Sequence, residues 1–136
     1  AGIEEELVRV LQARSLIDRT TVLSFDFAGL AVIHAIESGL RTCALVGKDY
    51  FRTAAGRTPG QIAHELAALG TDSVGIREQN LTRRLFEALR REGLAVGAWT
   101  VDTPGRMHEL AALGVSFITS NRPDLLFKEL PVAGRR

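Results

Sequence analysis

Apolar and polar positions along the chain alternate between two periods, and the alternation predicts a regular succession of helices and strands. Helical spacing, with apolar residues recurring every three to four positions, predicts helices over 3–16, 29–38, 59–69, 81–92, 104–113 and 123–130. Between them lie short, nearly uncharged runs that predict buried strands over 20–27, 41–46, 72–76, 94–101 and 115–119. Thr58-Pro59 and Thr103-Pro104 each set a hydroxyl before a proline at a helix start. Gln61, three residues after Thr58, completes a capping-box pattern. The longest connection runs from residue 47 to 58.

The pattern also repeats. His64-Glu65-Leu66-Ala67-Ala68-Leu69-Gly70 returns as His108-Glu109-Leu110-Ala111-Ala112-Leu113-Gly114, with looser copies beginning at His34 and Leu85. Each copy is an amphipathic helix, a glycine just past its end, and a β-prone run. Strict alternation of five strands with helices defines an α/β domain with a parallel sheet. Two architectures fit: part of a (βα)8 barrel, or a five-stranded doubly wound sheet. Both place chemistry at the carboxyl ends of the strands.

The 136 residues suit one domain, read as residues 1–130 with a frayed tail over 131–136. With 46% hydrophobic and 24% charged residues the chain has globular usage. A net charge of +1 gives no strong field for nucleic acid or anionic membrane. No apolar run reaches membrane-spanning length. One cysteine, Cys43, forbids an internal disulfide and fits a reducing compartment, so the expected location is cytoplasmic, with position 1 an Ala. Cys43 itself reads as inert core.

The strand ends carry the candidate chemistry. Trp99, the chain's single tryptophan, stands beside Asp102 and can stack on an alkyl or sugar portion of a ligand, while Asp102 and Asn121 can bond hydroxyls. The competing reading is a core tryptophan with an Asp near the next helix start. His34, His64 and His108 fall at equivalent places on three different helices, which favours structural roles over metal binding. Asp26, Glu78 and Asp102 stand on separate strands without a paired-acid spacing, so no metal ligands are assigned. Lys48, Arg52 and Arg57 form a basic loop able to meet a phosphate, though a solvated loop accounts for it as well. No Walker loop, GxGxxG or GxSxG motif is present.

Three segments carry a resemblance. Val22-Leu23-Ser24-Phe25-Asp26, Gly93 to Asp102 with its Trp-Thr-Val-Asp ending, and Gly114 to Asp124 with its Arg-Pro-Asp ending resemble, in order and separation, strands of the glycerophosphodiester phosphodiesterase family. The similarity spans about residues 20–127. It implies five consecutive units of a (βα)8 barrel, the fourth to the eighth. It also implies metal-dependent hydrolysis of glycerophosphodiesters, within lipid metabolism, for a complete enzyme that uses Mg2+ or Ca2+. The family's acid/base histidines and metal carboxylates belong to the first three strands, in His-Arg-Gly and Glu-x-Asp motifs absent here. The resemblance therefore assigns this chain no catalytic residue and no cofactor of its own. It marks Phe25 and Trp99 as pocket lining, and Asp102 and Asn121 by a more distant parallel with sphingomyelinase D toxins. Ser116, and Ser120-Asn121, depart from the family's usual Asp and Thr-Asp. The expected chain is inactive alone and pairs with itself or with the complementary N-terminal part. A non-catalytic binding or assembly module and a flavodoxin-like small-molecule module remain alternatives.

Overall fold

The computed structural model describes residues 2–131; the tail expected over 131–136 lies, from residue 132 on, outside them. The elements are α1 (Ile3–Ala13), β1 (Thr21–Ser24), α2 (Phe27–Ile36), β2 (Arg41–Val46), α3 (Lys48–Thr53), α4 (Pro59–Ala67), β3 (Ser73–Arg77), α5 (Arg83–Arg91), β4 (Ala95–Trp99), α6 (Pro104–Leu113), β5 (Phe117–Ile118) and α7 (Pro123–Glu129). Short 3-10 turns occupy Ile17–Arg19 and Glu78–Asn80.

All strand pairs are parallel, and the spatial order is β1-β2-β3-β4-β5. A doubly wound sheet needs a reversal of strand order near its middle. None occurs here, so that alternative, and with it the flavodoxin-like architecture, is excluded. The five strands form a curled half-barrel with helices between them, part of a TIM barrel.

Strand alternation sorts the side chains onto two faces. Ala44, Val46, Val74, Ile76, Val96 and Ala98 are fully buried with Leu66, Leu85, Leu89, Met107 and Leu110 from the covering helices. A smaller cluster of Val8, Leu11, Ile33 and Leu40 seats α1 against α2. The opposite, concave face carries Leu23, Cys43, Leu45, Gly75, Gly97, Trp99 and Phe117. In a closed barrel such residues fill the interior. Here Leu23 remains 46% exposed.

Several boundaries shift for local reasons. The strand expected over 20–27 stops at Ser24 because Asp26 accepts the Gly29 N–H at 3.1 Å and starts α2 at Phe27. The helix expected over 81–92 begins at Arg83, where the Thr82 hydroxyl accepts the Leu85 N–H. The strand expected over 115–119 is paired only at Phe117–Ile118. The long 47–58 connection contains α3. The Thr58–Gln61 capping box forms, with bonds of 3.1 and 2.9 Å. Thr103 makes no side-chain cap, and α6 starts on Pro104 alone. Gly114 closes α6 at φ 102°, a left-handed position that suits glycine.

A strand-end aromatic groove and the family it belongs to

The carboxyl ends of the strands form a groove of about 430 Å3, lined by Phe25, Phe27, Leu45, Gly47, Lys48, Asp49, Tyr50 and Trp99. Its position follows from the sheet. Phe25 leaves β1 just past its last paired residue, Gly47 follows β2, and Trp99 ends β4. Phe25 and Trp99 meet edge to face, with ring centroids 5.4 Å apart and planes at 86°. The Trp99 Nε1–H donates to the Gly75 carbonyl at 2.8 Å, so the indole lies across β3. The glycine makes this possible: a Cβ at Gly75 would sit 2.9 Å from Leu45 and 3.4 Å from the indole. Trp99 thus lies half-buried on the concave side of the sheet, at its carboxyl end. The Trp99–Thr100 peptide is cis.

Asp102 and Asn121 come together, but away from the groove lining. The Asp102 Oδ1 accepts the Ser120 hydroxyl at 3.0 Å and the Asn121 N–H at 2.8 Å. Asp102 Oδ2 lies 3.5 Å from Asn121 Nδ2. The carboxylate thereby ties the turn after β5 to the end of β4. The two pairs, Phe25–Trp99 and Asp102–Asn121, stand on the same end of the sheet.

Sequence reasoning passed over Phe27, read as the last residue of the strand over 20–27, and Tyr50, read as part of the 47–58 connection. Tyr50 packs edge to face against Phe27, with centroids 6.4 Å apart, and against Phe51 at 5.5 Å. Its hydroxyl is buried and makes no hydrogen bond among the described residues. Burial first, and the Glu65 carboxylate second, push the phenol up to about 12. The signal available in the sequence was the cluster of aromatics flanking two strand ends.

The basic loop is largely neutralised. Arg52 pairs with Asp49 at 3.0 Å, and Arg57 pairs with Glu65. The three histidines are exposed on α2, α4 and α6; His64 lies 3.5 Å from Glu92 and His108 3.0 Å from Glu129. Among the described residues no three of His, Cys, Asp and Glu converge, so the donors present do not fit a divalent cation held by this chain's own side chains. Burial pushes the Cys43 thiol up, away from the reactive thiolate. No helix among the described residues is long and apolar enough to cross a membrane.

At the next strand end, Arg106 of α6 braces the turn after β3. Its guanidinium donates to Glu78 Oε2 at 2.9 Å and to the carbonyls of Glu78 and Leu81 at 2.7 and 2.9 Å.

The chain is 25% identical over 133 residues to the glycerophosphodiester phosphodiesterase of Bacillus subtilis (strain 168), matching 93% of this chain and 44% of that protein. A second Bacillus subtilis relative is matched over 50% of its length, so the chain spans about half of the curated relatives it matches. Among solved structures, a glycerophosphodiester phosphodiesterase from Parabacteroides distasonis superposes with a TM-score of 0.74 at 23% identity, covering 92% of this chain and 48% of that one. An Oleispira antarctica phosphodiesterase, solved with its product sn-glycerol-3-phosphate, superposes with a TM-score of 0.72 at 14% identity, covering 95% and 50%. The model of the Glycerophosphoryl diester phosphodiesterase family matches residues 2–125, nearly the whole half-barrel, and this chain belongs to that family.

Proposed function

We propose that this chain provides the ligand-positioning half of a glycerophosphodiester-hydrolysing barrel and does not break the phosphodiester bond by itself. The observation that carries the reading is the Phe25–Trp99 pair, set edge to face on the concave side at the carboxyl ends of β1 and β4. Phe25 and Trp99 wall the glycerol or alcohol portion of the substrate, and Asp102 and Asn121 hold the neighbouring turn with residual capacity for ligand hydroxyls. Residues 1–130 act as one unit. In the complete enzyme a divalent cation, Mg2+ or Ca2+, would supply charge stabilisation for the phosphoryl oxygens, and no side chain of this chain is assigned to hold it. Its ligands, and the groups that move protons, come from barrel units other than these five. The substrate class connects the protein with lipid metabolism, and the buried free thiol of Cys43 suits a reducing cytoplasm.

The exposed concave face supports a second element of the reading, association. β1 and β5 each leave a backbone edge without a strand partner among the described residues. Covering about 400 Å2 of apolar surface contributes on the order of 10 kcal/mol before association costs. Those costs are about 4–15 kcal/mol, so the gain is comparable to what must be overcome. The chain associates with a second copy or with the complementary barrel part. A role confined to binding or assembly follows from the same exposed face if no catalytic half is supplied.

The test is an assay of the purified 136-residue chain on glycerophosphocholine with Mg2+ or Ca2+. The expected result is no turnover above background, since missing acid/base groups alone cost about 10²–10⁴-fold. Turnover at an ordinary enzymatic rate that survives repurification would overturn the proposal.

A further inference from the structure

The carboxylates at the strand ends are already engaged. Asp26 accepts the Gly29 N–H, Asp49 pairs with Arg52 at 3.0 Å, and Asp102 accepts from Ser120 and Asn121. Glu78, the acid next to Arg77 in sequence, is held by Arg106 at 2.9 Å. Arg77 itself, the last residue of β3, pairs with no carboxylate among the described residues. Its side chain leaves the sheet on the concave face. Val74 and Ile76 are buried under the helices, so alternation turns Gly75 and Arg77 the other way. In register Arg77 stands opposite Trp99, about 4.8 Å away across the strand pair.

The guanidinium is held in place by neutral groups. Arg77 Nη1 donates to Asn80 Oδ1 at 3.2 Å, and Asn80 closes the 3-10 turn Glu78–Asn80. Arg106 fixes that turn through the carbonyls of Glu78 and Leu81, at 2.7 and 2.9 Å. A guanidinium carries five N–H donors in a rigid fork. One bond to a neutral amide oxygen leaves a half-buried positive charge with most of its fork unmatched. That fork fits two oxygens of a phosphate, and the exposed Lys48 at the same end of the sheet adds charge of the same sign.

We propose that Arg77, positioned by Asn80, is an anion-binding residue of the strand-end mouth and grips the phosphoryl oxygens of a phosphate ester. This half then contributes a charge to the phosphate site as well as a wall for the organic portion. Arg77 lies outside the three segments that carry the family resemblance. Its place in a substrate site rests on the hydrolase reading above; the anion contact itself does not.

Trp99 is the single tryptophan and the strand neighbour of Arg77, so its emission reports binding there. The purified chain is titrated at constant ionic strength with sn-glycerol 3-phosphate and, separately, with glycerol. The expected result is a saturable change with the phosphate ester and none with glycerol. Arg77→Gln weakens the ester at least about tenfold, as the loss of a charge-assisted contact does. Arg77→Lys keeps the charge without the fork and falls between the two. Asn80→Asp is a second variant of nearly unchanged size; its carboxylate pairs with Arg77 and weakens the ester comparably. Arg91→Gln, on the exposed last turn of α5, removes the same charge elsewhere and leaves affinity within about twofold. A flat ester titration, an equal response to glycerol, or folded Arg77→Gln and Asn80→Asp variants that bind the ester as the parent does would overturn the site. Hydrolysis by the chain alone would overturn the proposed division of labour and leave this titration untouched, so the two failures are distinguishable.

Discussion

Gly97→Ala tests how the concave wall is built. Gly97 sits in β4 opposite Phe117 of β5, and the phenyl ring occupies the space a side chain there would take. A Cβ at this position would fall 2.1–2.3 Å from three atoms of the ring. Restoring an ordinary contact distance moves the ring edge away by about 1.3 Å, a displacement that forfeits much of its dispersion contact with the sheet. Beyond the Phe117–Ile118 pairing, β5 is anchored by the Ser116 N–H to the Val96 carbonyl at 2.7 Å, the Thr119 N–H to the Ala98 carbonyl at 2.9 Å and the Val101 N–H to the Thr119 carbonyl at 2.9 Å. Overpacking of this kind costs about 1–3 kcal/mol, and the lower unfolded-state entropy of Ala returns about 0.4–1 kcal/mol. A net loss of about 1–2 kcal/mol is expected, read as a lower urea midpoint followed by Trp99 emission. Gly105→Ala supplies the contrast, because nothing lies within 4 Å of a Cβ there. It should leave stability unchanged or raise it by up to about 1 kcal/mol. A Gly97→Ala variant as stable as Gly105→Ala would refute the account of the wall.

Arg106→Ala removes three bonds to the Glu78–Leu81 turn and leaves Glu78, with a side chain 19% exposed, without its cation. Chemical denaturation should show a loss of about 2–3 kcal/mol, and a loss below about 0.5 kcal/mol would mean the brace carries nothing. Tyr50, the single tyrosine, should titrate near 12 by phenolate absorbance in the folded chain. Its folded value lies above the unfolded value of about 10, so the folded state holds the proton longer and stability falls as pH rises from about 10 toward 12. A phenolate midpoint near 10 with the fold intact would show the hydroxyl to be solvated.

What the sequence made legible was local. Short, nearly uncharged runs located five strands, helical spacing located the main helices, and the repeat His64–Gly70 and His108–Gly114 identified the βα unit. Proline at 59 and 104 marked helix starts correctly because its fixed φ suits the first turn. Strand ends were less legible, because an apolar run continues past the point where a side chain such as Asp26 captures the backbone and begins a helix. Choosing the barrel over the doubly wound sheet required either the family resemblance or the observed strand order, since periodicity is the same in both.

The site divides in the same way. Phe25 and Trp99 were identified from their strand-end positions and the resemblance, and the structure brings them together. Phe27 and Tyr50 were missed because the chain turns into helices earlier than the apolar runs indicate: Phe27 opens α2 instead of ending a strand, and Tyr50 lies in α3 instead of an irregular connection. The Asp102 bonds to Ser120 and Asn121 span 18 and 19 residues, so no local pattern announces them. The glycines at 75 and 97 make room for Trp99 and Phe117, which only the cross-strand neighbours show.

The claim at the centre of this account is that the concave face is the inner wall of an incomplete barrel. Multi-angle light scattering across a concentration series tests it most directly. The prediction is a mass above the 14.8 kDa of one chain, rising with concentration, as copies cover the exposed edges and the Leu23, Phe25 and Trp99 face. A compact 14.8 kDa monomer that persists at high concentration would contradict it.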